Sequence, residues 1–255
     1  LFKLMPPLGM AASLGLGAPR AATSSGGAAA GEVTRQGDLV GWWKFNSSSG
    51  ATATDSSDTA NNGTLANMAD SDWVAGKSAA FGNCLEFDGT DDYVAIPADA
   101  AYPSTDFSLS IWLNQASGHA TNTTLIESQG YADEVGSFNF YIAGAGSKIA
   151  FNLINTRTGT FQFDVTVVDG TWYHAAAVYT ASAEEVEIYF DGSSVGTVDV
   201  GSATIDDWND NGIWIGRDRT TSYWKGKLDD VRIYNVALTS TNVTKIYGSG
   251  GGDFP

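Results

Sequence analysis

Apolar and polar residues alternate with a period of two through most of the chain. The last such run is the longest: from Lys227, the residues Leu228, Asp230, Arg232 and Tyr234 fall on one side of an extended segment, and Asp229, Val231, Ile233 and Asn235 on the other. Comparable runs, rich in β-branched and aromatic residues, predict strands at Leu39–Phe45, Cys84–Phe87, Tyr93–Ile96, Phe107–Leu113, Thr124–Glu127, Ser137–Ile142 and Lys148–Leu153. Others follow at Thr160–Val168, Trp172–Tyr179, Val186–Phe190, Ser194–Val200, Ile213–Gly216 and Leu228–Tyr234. Turn pairs such as Asp88-Gly89, Asp169-Gly170, Asp191-Gly192 and Asn211-Gly212 separate them. Short strands without intervening helices specify a two-sheet antiparallel sandwich, not a parallel sheet. One helix is predicted at Thr239–Tyr247, capped by Thr239 or Ser240, with Val243, Ile246 and Tyr247 facing inward. Trp42, Trp43, Trp112, Trp172 and Trp214 lie in or beside strands and are expected in the core. Trp73, Trp208 and Trp224 lie in loop-like contexts.

The ends of the chain break this pattern. Residues 1–22 are apolar, rich in small residues and free of acid, and read as the later part of a secretory signal peptide. The stretch is too short, and too interrupted by Pro6 and Pro7, to span a bilayer. Residues 23–37 are a Ser/Gly/Ala linker, and residues 249–255 read as the start of a Gly-rich one, leaving 38–248 as a single domain.

Charge narrows the partners. Asp and Glu number 29 against 13 Lys and Arg, a formal charge of −16. Such a surface repels nucleic acid and anionic membranes, and leaves cations and uncharged polymers as partners. The one cysteine, Cys84, cannot form an internal disulfide and reads as a small core residue. Asp229 and Asp230 are adjacent acids in a β-prone run, where Asp is disfavoured, and need a cation, a turn or an arginine to hold them. Arg232, two residues along from Asp230, is one such holder. The stretch Asp55–Thr64 is dense in side-chain oxygens, suiting either Ca²⁺ or a set of Asx turns. Asp88 and Asp191, each before Gly, read as turn residues. A hydrolase of the sandwich type needs spaced carboxylates across a cleft. The nearest pattern is Glu185-Val186-Glu187, which reads as a solvated strand edge. Three loops are candidate binding rims: one with Asp207, Trp208, Asn209 and Asn211, one with His119, and one with Tyr131.

Several motifs occur in order. They are Leu39–Phe45, Asp55 with Asn61-Asn62-Gly63, Phe87-Asp88-Gly89-Thr90-Asp91-Asp92-Tyr93, Phe107–Leu113, Trp172-Tyr173-His174, Val186–Gly192, Ile215-Gly216-Arg217 and Gly226–Asn235. In this order and spacing the chain resembles the laminin-G-like, concanavalin A-like lectin/glucanase domains of secreted bacterial proteins, over nearly all of 38–248. The resemblance implies an all-β jelly-roll sandwich of two antiparallel sheets, one of them concave, with one short C-terminal helix. It also implies roles in carbohydrate binding, adhesion or spacing of attached enzymes. By analogy with the family, a structural Ca²⁺ would be held by Asp55, Asn62 and one of Asp229 and Asp230.

The expected function is therefore a non-enzymatic, secreted or cell-surface binding module that recognises a glycan or a cell-surface or matrix protein, within a larger protein. A structural subunit of a virion or filament, self-assembling through residues 1–37, is the alternative. A glucanase-like hydrolase is the third reading.

Overall fold

The computed structural model describes residues 36–103, 105–128, 137–153, 159–201, 211–220 and 222–249. The segments 1–22 and 23–35, the loop residues Tyr131, Asp207, Trp208 and Asn209, and the chain end beyond 249 lie outside the described residues.

In chain order the strands are β1 (Leu39–Trp43), β2 (Thr52–Ala53), β3 (Gly63–Ala66), β4 (Trp73–Ala75), β5 (Asn83–Asp88), β6 (Tyr93–Ile96), β7 (Phe107–Gln115) and β8 (Thr123–Ser128). They continue as β9 (Phe138–Ala143), β10 (Lys148–Leu153), β11 (Gly159–Asp164), β12 (Trp172–Thr180), β13 (Glu185–Phe190), β14 (Ser193–Asp199), β15 (Ile213–Ile215) and β16 (Lys225–Tyr234). The first sheet runs β14-β13-β12-β7-β16-β5-β4, with β1 also paired to β16. The second runs β11-β10-β9-β8-β15-β6-β3-β2. Neighbours pair antiparallel throughout, for example β16 with β7 and β9 with β10. The sandwich is the expected all-β architecture. Its core lies between the sheets, where Leu109, Ile111, Leu113, Leu228 and Ile233 of the first meet Phe138, Phe140, Phe151, Ile213 and Ile215 of the second, all at most 2% exposed.

β16 organises the first sheet. Its first half pairs with β5, its second half with β1, and its length with β7. The period-two reading of this strand fails at one place. Between Asp229 and Arg232 the register against β7 shifts, and Asp230 has φ +48°. This β-bulge breaks the strict alternation at Asp229 and Asp230, and both lie buried, at 1% and 2% exposure, in a strand covered on both faces. Gly226 at φ +125° is required nearby, because a Cβ there would strike the backbone carbonyl of Asn114 on β7.

Other differences concern short elements and tryptophans. β2, β3 and β4 occupy a region without a strand pattern, because two to four residues are too few to show a period. Trp224 is fully buried and belongs to the core despite its loop-like context. Trp214 is half-buried and points outward, since its neighbours Ile213 and Ile215 take the core side. The helix α1 (Ser240–Gly248) forms as expected. Thr239 caps it by accepting a hydrogen bond from the Asn242 N–H at 3.2 Å, and it buries Val243 and Ile246. Tyr247 is instead 37% exposed and stacks on Trp112, with centroids 5.5 Å apart. Cys84 is buried as expected, and burial pushes its thiol up to about 12.

Candidate functional site

The acids picked out for a cation are each placed by the fold. Asp55 accepts at Oδ1 from the backbone N–H groups of Trp42 and Ser57, and at Oδ2 from Ser57 Oγ, Thr59 Oγ1 and the Asn61 N–H, all at 2.8–2.9 Å. Asn62 Oδ1 accepts from the Asp55 N–H at 2.9 Å. These are the contacts of a stapled Asx turn. Asp230 takes the Trp42 indole N–H at 2.6 Å and a two-point pairing from Arg232 at 2.9 and 3.0 Å. Asp229 differs. Its Oδ1 accepts the Asp230 N–H, whereas Oδ2 is buried without a hydrogen-bond partner. That oxygen faces the space beside Gly76: a Cβ placed there would meet Asp229 Oδ2 and the Gly82 carbonyl at 2.9 Å, and the Asn83 carbonyl at 3.3 Å. Burial, then the neighbouring Asp230, pushes the Asp229 carboxyl up to about 9.

A separate group, Asp88, Asp91 and Asp92, brings three carboxylates within 4.8 Å of one another and could hold a metal ion. Asp88 also accepts from the N–H groups of Thr90 and Asp91, in keeping with its turn position. Asp191, at φ +48°, accepts the His174 N–H and closes the β13–β14 turn. His174 itself is fully buried and bonded to Ser110 Oγ at 2.9 Å. His119 contacts the Ala120 carbonyl at 2.7 Å and Asp169 at 3.5 Å. Asn211 is half-buried just before β15. Glu185 is exposed on β13, and Glu187 accepts from Tyr189 Oη at 2.7 Å.

The outer face of the second sheet carries a more concentrated arrangement. Register places Trp214 of β15 opposite Glu127 of β8, Glu127 opposite Asn139 of β9, and Asn139 opposite Asn152 of β10. Because alternate residues of these strands fill the core, the four side chains form one row on the outside. Beside the row is a depression of about 240 Å³, lined by Asn122, Thr124, Asn139, Tyr141, Asn152 and the loop residues Asp218, Thr220 and Ser222. Asn139 and Asn152 each keep a buried amide oxygen that has no donor. Glu127 is 3% exposed and accepts from the Arg219 N–H at 3.2 Å and the Asn139 amide at 3.4 Å. Burial and the nearby Asp218 outweigh Arg219 and push its carboxyl up to about 8.

The 216–223 loop walls this depression. Gly216 at φ +87° starts it, and the Asp218 carboxylate fixes it by accepting from the Thr220 N–H, Thr220 Oγ1 and the Ser222 N–H, each at 2.8 Å. The loop sets Arg217 among three half-buried rings. Its guanidinium carbon lies 4.4 Å from the Trp214 centroid, 4.7 Å from Tyr93 and 5.3 Å from Tyr223. An aromatic and cationic platform thus adjoins a pocket of amides and hydroxyls.

A family model described as "Concanavalin A-like lectin/glucanases superfamily" (Laminin_G_3) matches residues 88–244, more than half of the chain. The chain belongs to that superfamily. Solved structures of similar shape include domain 4 of AbnA, a GH43 extracellular arabinanase from Geobacillus stearothermophilus, in complex with arabinotriose. It has TM-score 0.63 and 18% identity, over 82% of this chain and 98% of that one. The binding domain of Paraclostridial Mosquitocidal Protein 1 gives TM-score 0.62 and 11% identity, over 84% of this chain and 52% of that one. The CBM40 of a Ruminococcus gnavus IT-sialidase, bound to α2,3 sialyllactose, gives TM-score 0.52 and 13% identity, over 65% and 96%. No curated protein matches by sequence. Among the described residues of this concanavalin A-like chain, no helix is long and apolar enough to cross a membrane.

Sequence reasoning missed the row on the second sheet. One signal was present: Asn139 and Asn152 each interrupt a β-prone run, where Asn is disfavoured, as Asp229 and Asp230 do.

Proposed function

We propose that the chain is a non-enzymatic, extracellular glycan-binding module whose site is the outer face of the second sheet. The observation that carries this reading is the row Trp214–Glu127–Asn139–Asn152 beside a polar depression. An indole standing out from a rigid sheet offers a flat apolar plate to a sugar ring. The amide and hydroxyl side chains that line the depression, among them Asn122, Thr124, Asn139, Tyr141 and Thr220, offer partners to hydroxyl groups. Glycan-bound neighbours of the same fold support the choice of ligand class. The hydrolase alternative is weaker because, among the described residues that line the depression, the one carboxylate beside Glu127 is Asp218, which is committed to its loop.

A broad glycan array is expected to show binding that Trp214→Ala reduces at least tenfold, about 1.4 kcal/mol, without lowering Tm. A blank array for the parent overturns the reading.

We carry Ca²⁺ forward as a proposal with Asp229 as its anchor, supported by the unpartnered Oδ2 and the two carbonyls that converge on the space beside Gly76. Adding millimolar Ca²⁺ after chelation is expected to raise Tm in the parent and not in Asp229→Asn. An unchanged parent Tm removes the cation from the account.

A further inference from the structure

We propose that the outer-face site prefers glycans bearing a carboxylate, of the uronic or sialic acid class, and that Arg217 is the residue that reads it. This rests on the glycan-binding reading above and adds to it the class of sugar.

The argument starts from charge. The chain carries a formal charge of −16, so an arginine on an open face is notable. Arg217 and Arg219 both lie on the loop that walls the depression, whereas Arg232 is buried against Asp230. The other charges of this face are largely committed. Asp218 holds its own loop, Lys148 pairs with Asp164, and Arg219 leans on Glu127 at 3.8 Å. Burial holds the Glu127 carboxyl well above the usual carboxylate range, which weakens its opposition to an incoming anion.

Arg217 is the group left to act. Its Nε donates to the Asp218 carbonyl at 2.9 Å, which fixes the plane of the guanidinium. Its terminal nitrogens have no hydrogen bond among the described residues. Tyr93, Trp214 and Tyr223 stack around it, within 4.4–5.3 Å of the guanidinium carbon. Rings of this kind hold a guanidinium flat while leaving its edge to make hydrogen bonds. A flat, pre-oriented fork matches a planar carboxylate at two points, and little side-chain entropy is left to lose on binding. Trp214 also ends the row through Glu127, Asn139 and Asn152, whose strands stand about 4.8 Å apart, so an oligosaccharide lying along the row would bring a sugar carboxylate to Arg217 at the Trp214 end.

The test uses matched ligand pairs and isothermal titration: oligogalacturonide against the equivalent neutral galacto-oligosaccharide, and sialyllactose against lactose. At least one acidic member is expected to bind tenfold or more tighter than its neutral partner, and the preference is expected to shrink as salt rises. Arg217→Met is expected to abolish the preference and leave the weaker neutral binding. Arg217→Lys, which keeps the charge and loses the fork, is expected to keep only part of it. Equal binding of acidic and neutral sugars that still depends on Trp214 overturns the carboxylate preference and leaves the module reading intact. No binding of any of these sugars, together with a blank array, overturns both. Tm measurements on each variant separate lost recognition from lost folding.

Discussion

Asp230→Ala is expected to destabilise the domain by about 3–5 kcal/mol, the loss typical of removing one partner of a buried ion pair. Arg232 is 1% exposed and its guanidinium is held by both oxygens of Asp230. Without Asp230, that charge loses its carboxylate in a place water does not reach, and the Trp42 indole N–H loses its acceptor as well. Backbone strain adds a smaller part, since Asp230 sits at φ +48°, which alanine tolerates less well than Asp or Asn. Asp230→Asn separates the two effects: it keeps a residue suited to the bulge and an acceptor, but removes the negative charge. It should fall between the parent and Asp230→Ala in urea denaturation. Replacing the pair together, with Arg232→Met in the Asp230→Asn background, should recover part of the loss, because the uncompensated charge goes with it. A loss below about 1 kcal/mol for Asp230→Ala would show the pair to be solvated in solution.

Trp224 should give a loss of similar size by a different route. It is fully buried between the sheets, so Trp224→Ala is expected to cost about 3–5 kcal/mol through lost burial and a residual cavity. Its indole N–H has no hydrogen-bond partner, which makes the side chain an apolar filler there. Trp224→Phe should therefore cost clearly less than Trp224→Ala, because it removes part of the ring system and leaves a smaller cavity. Denaturation midpoints for the two variants decide it, and equal losses would point to a polar role for the indole.

How far the sequence revealed this molecule depends on the length over which each feature is written. The long strands, β7, β12 and β16, carry enough alternating positions to be found. β2 and β4 contain two and three residues and carry too little pattern. The pairing of Asp230 with Arg232 was legible from their spacing, while the bulge between Asp229 and Arg232 was not, because a bulge removes the periodicity it would be read from. Trp224 read as loop-like because Ser222, Tyr223 and Lys225 around it do not alternate, yet its backbone N–H is tied to the Gly216 carbonyl and its ring is buried in the core. The candidate site was the least visible part. Trp214, Glu127, Asn139 and Asn152 come from four strands spread over nearly ninety positions, roughly a third of the chain, and only the register of those strands makes them neighbours. The loop residues Asp207, Trp208, Asn209 and Tyr131, expected as a binding rim, lie outside the described residues and remain proposals.

The place of β16 also sets an order of events during synthesis. β1 is the first of the domain's described strands to leave the ribosome, but its strand partner is the second half of β16, the last of them. The same late strand must insert between β7 and β5 to complete the first sheet. Until then β1, β5 and β7 have edges without their final partner, and the loop to be closed spans most of the domain. The sheet therefore assembles only once the whole domain has emerged, and a nascent chain stopped before residue 225 lacks the strand on which its other halves meet.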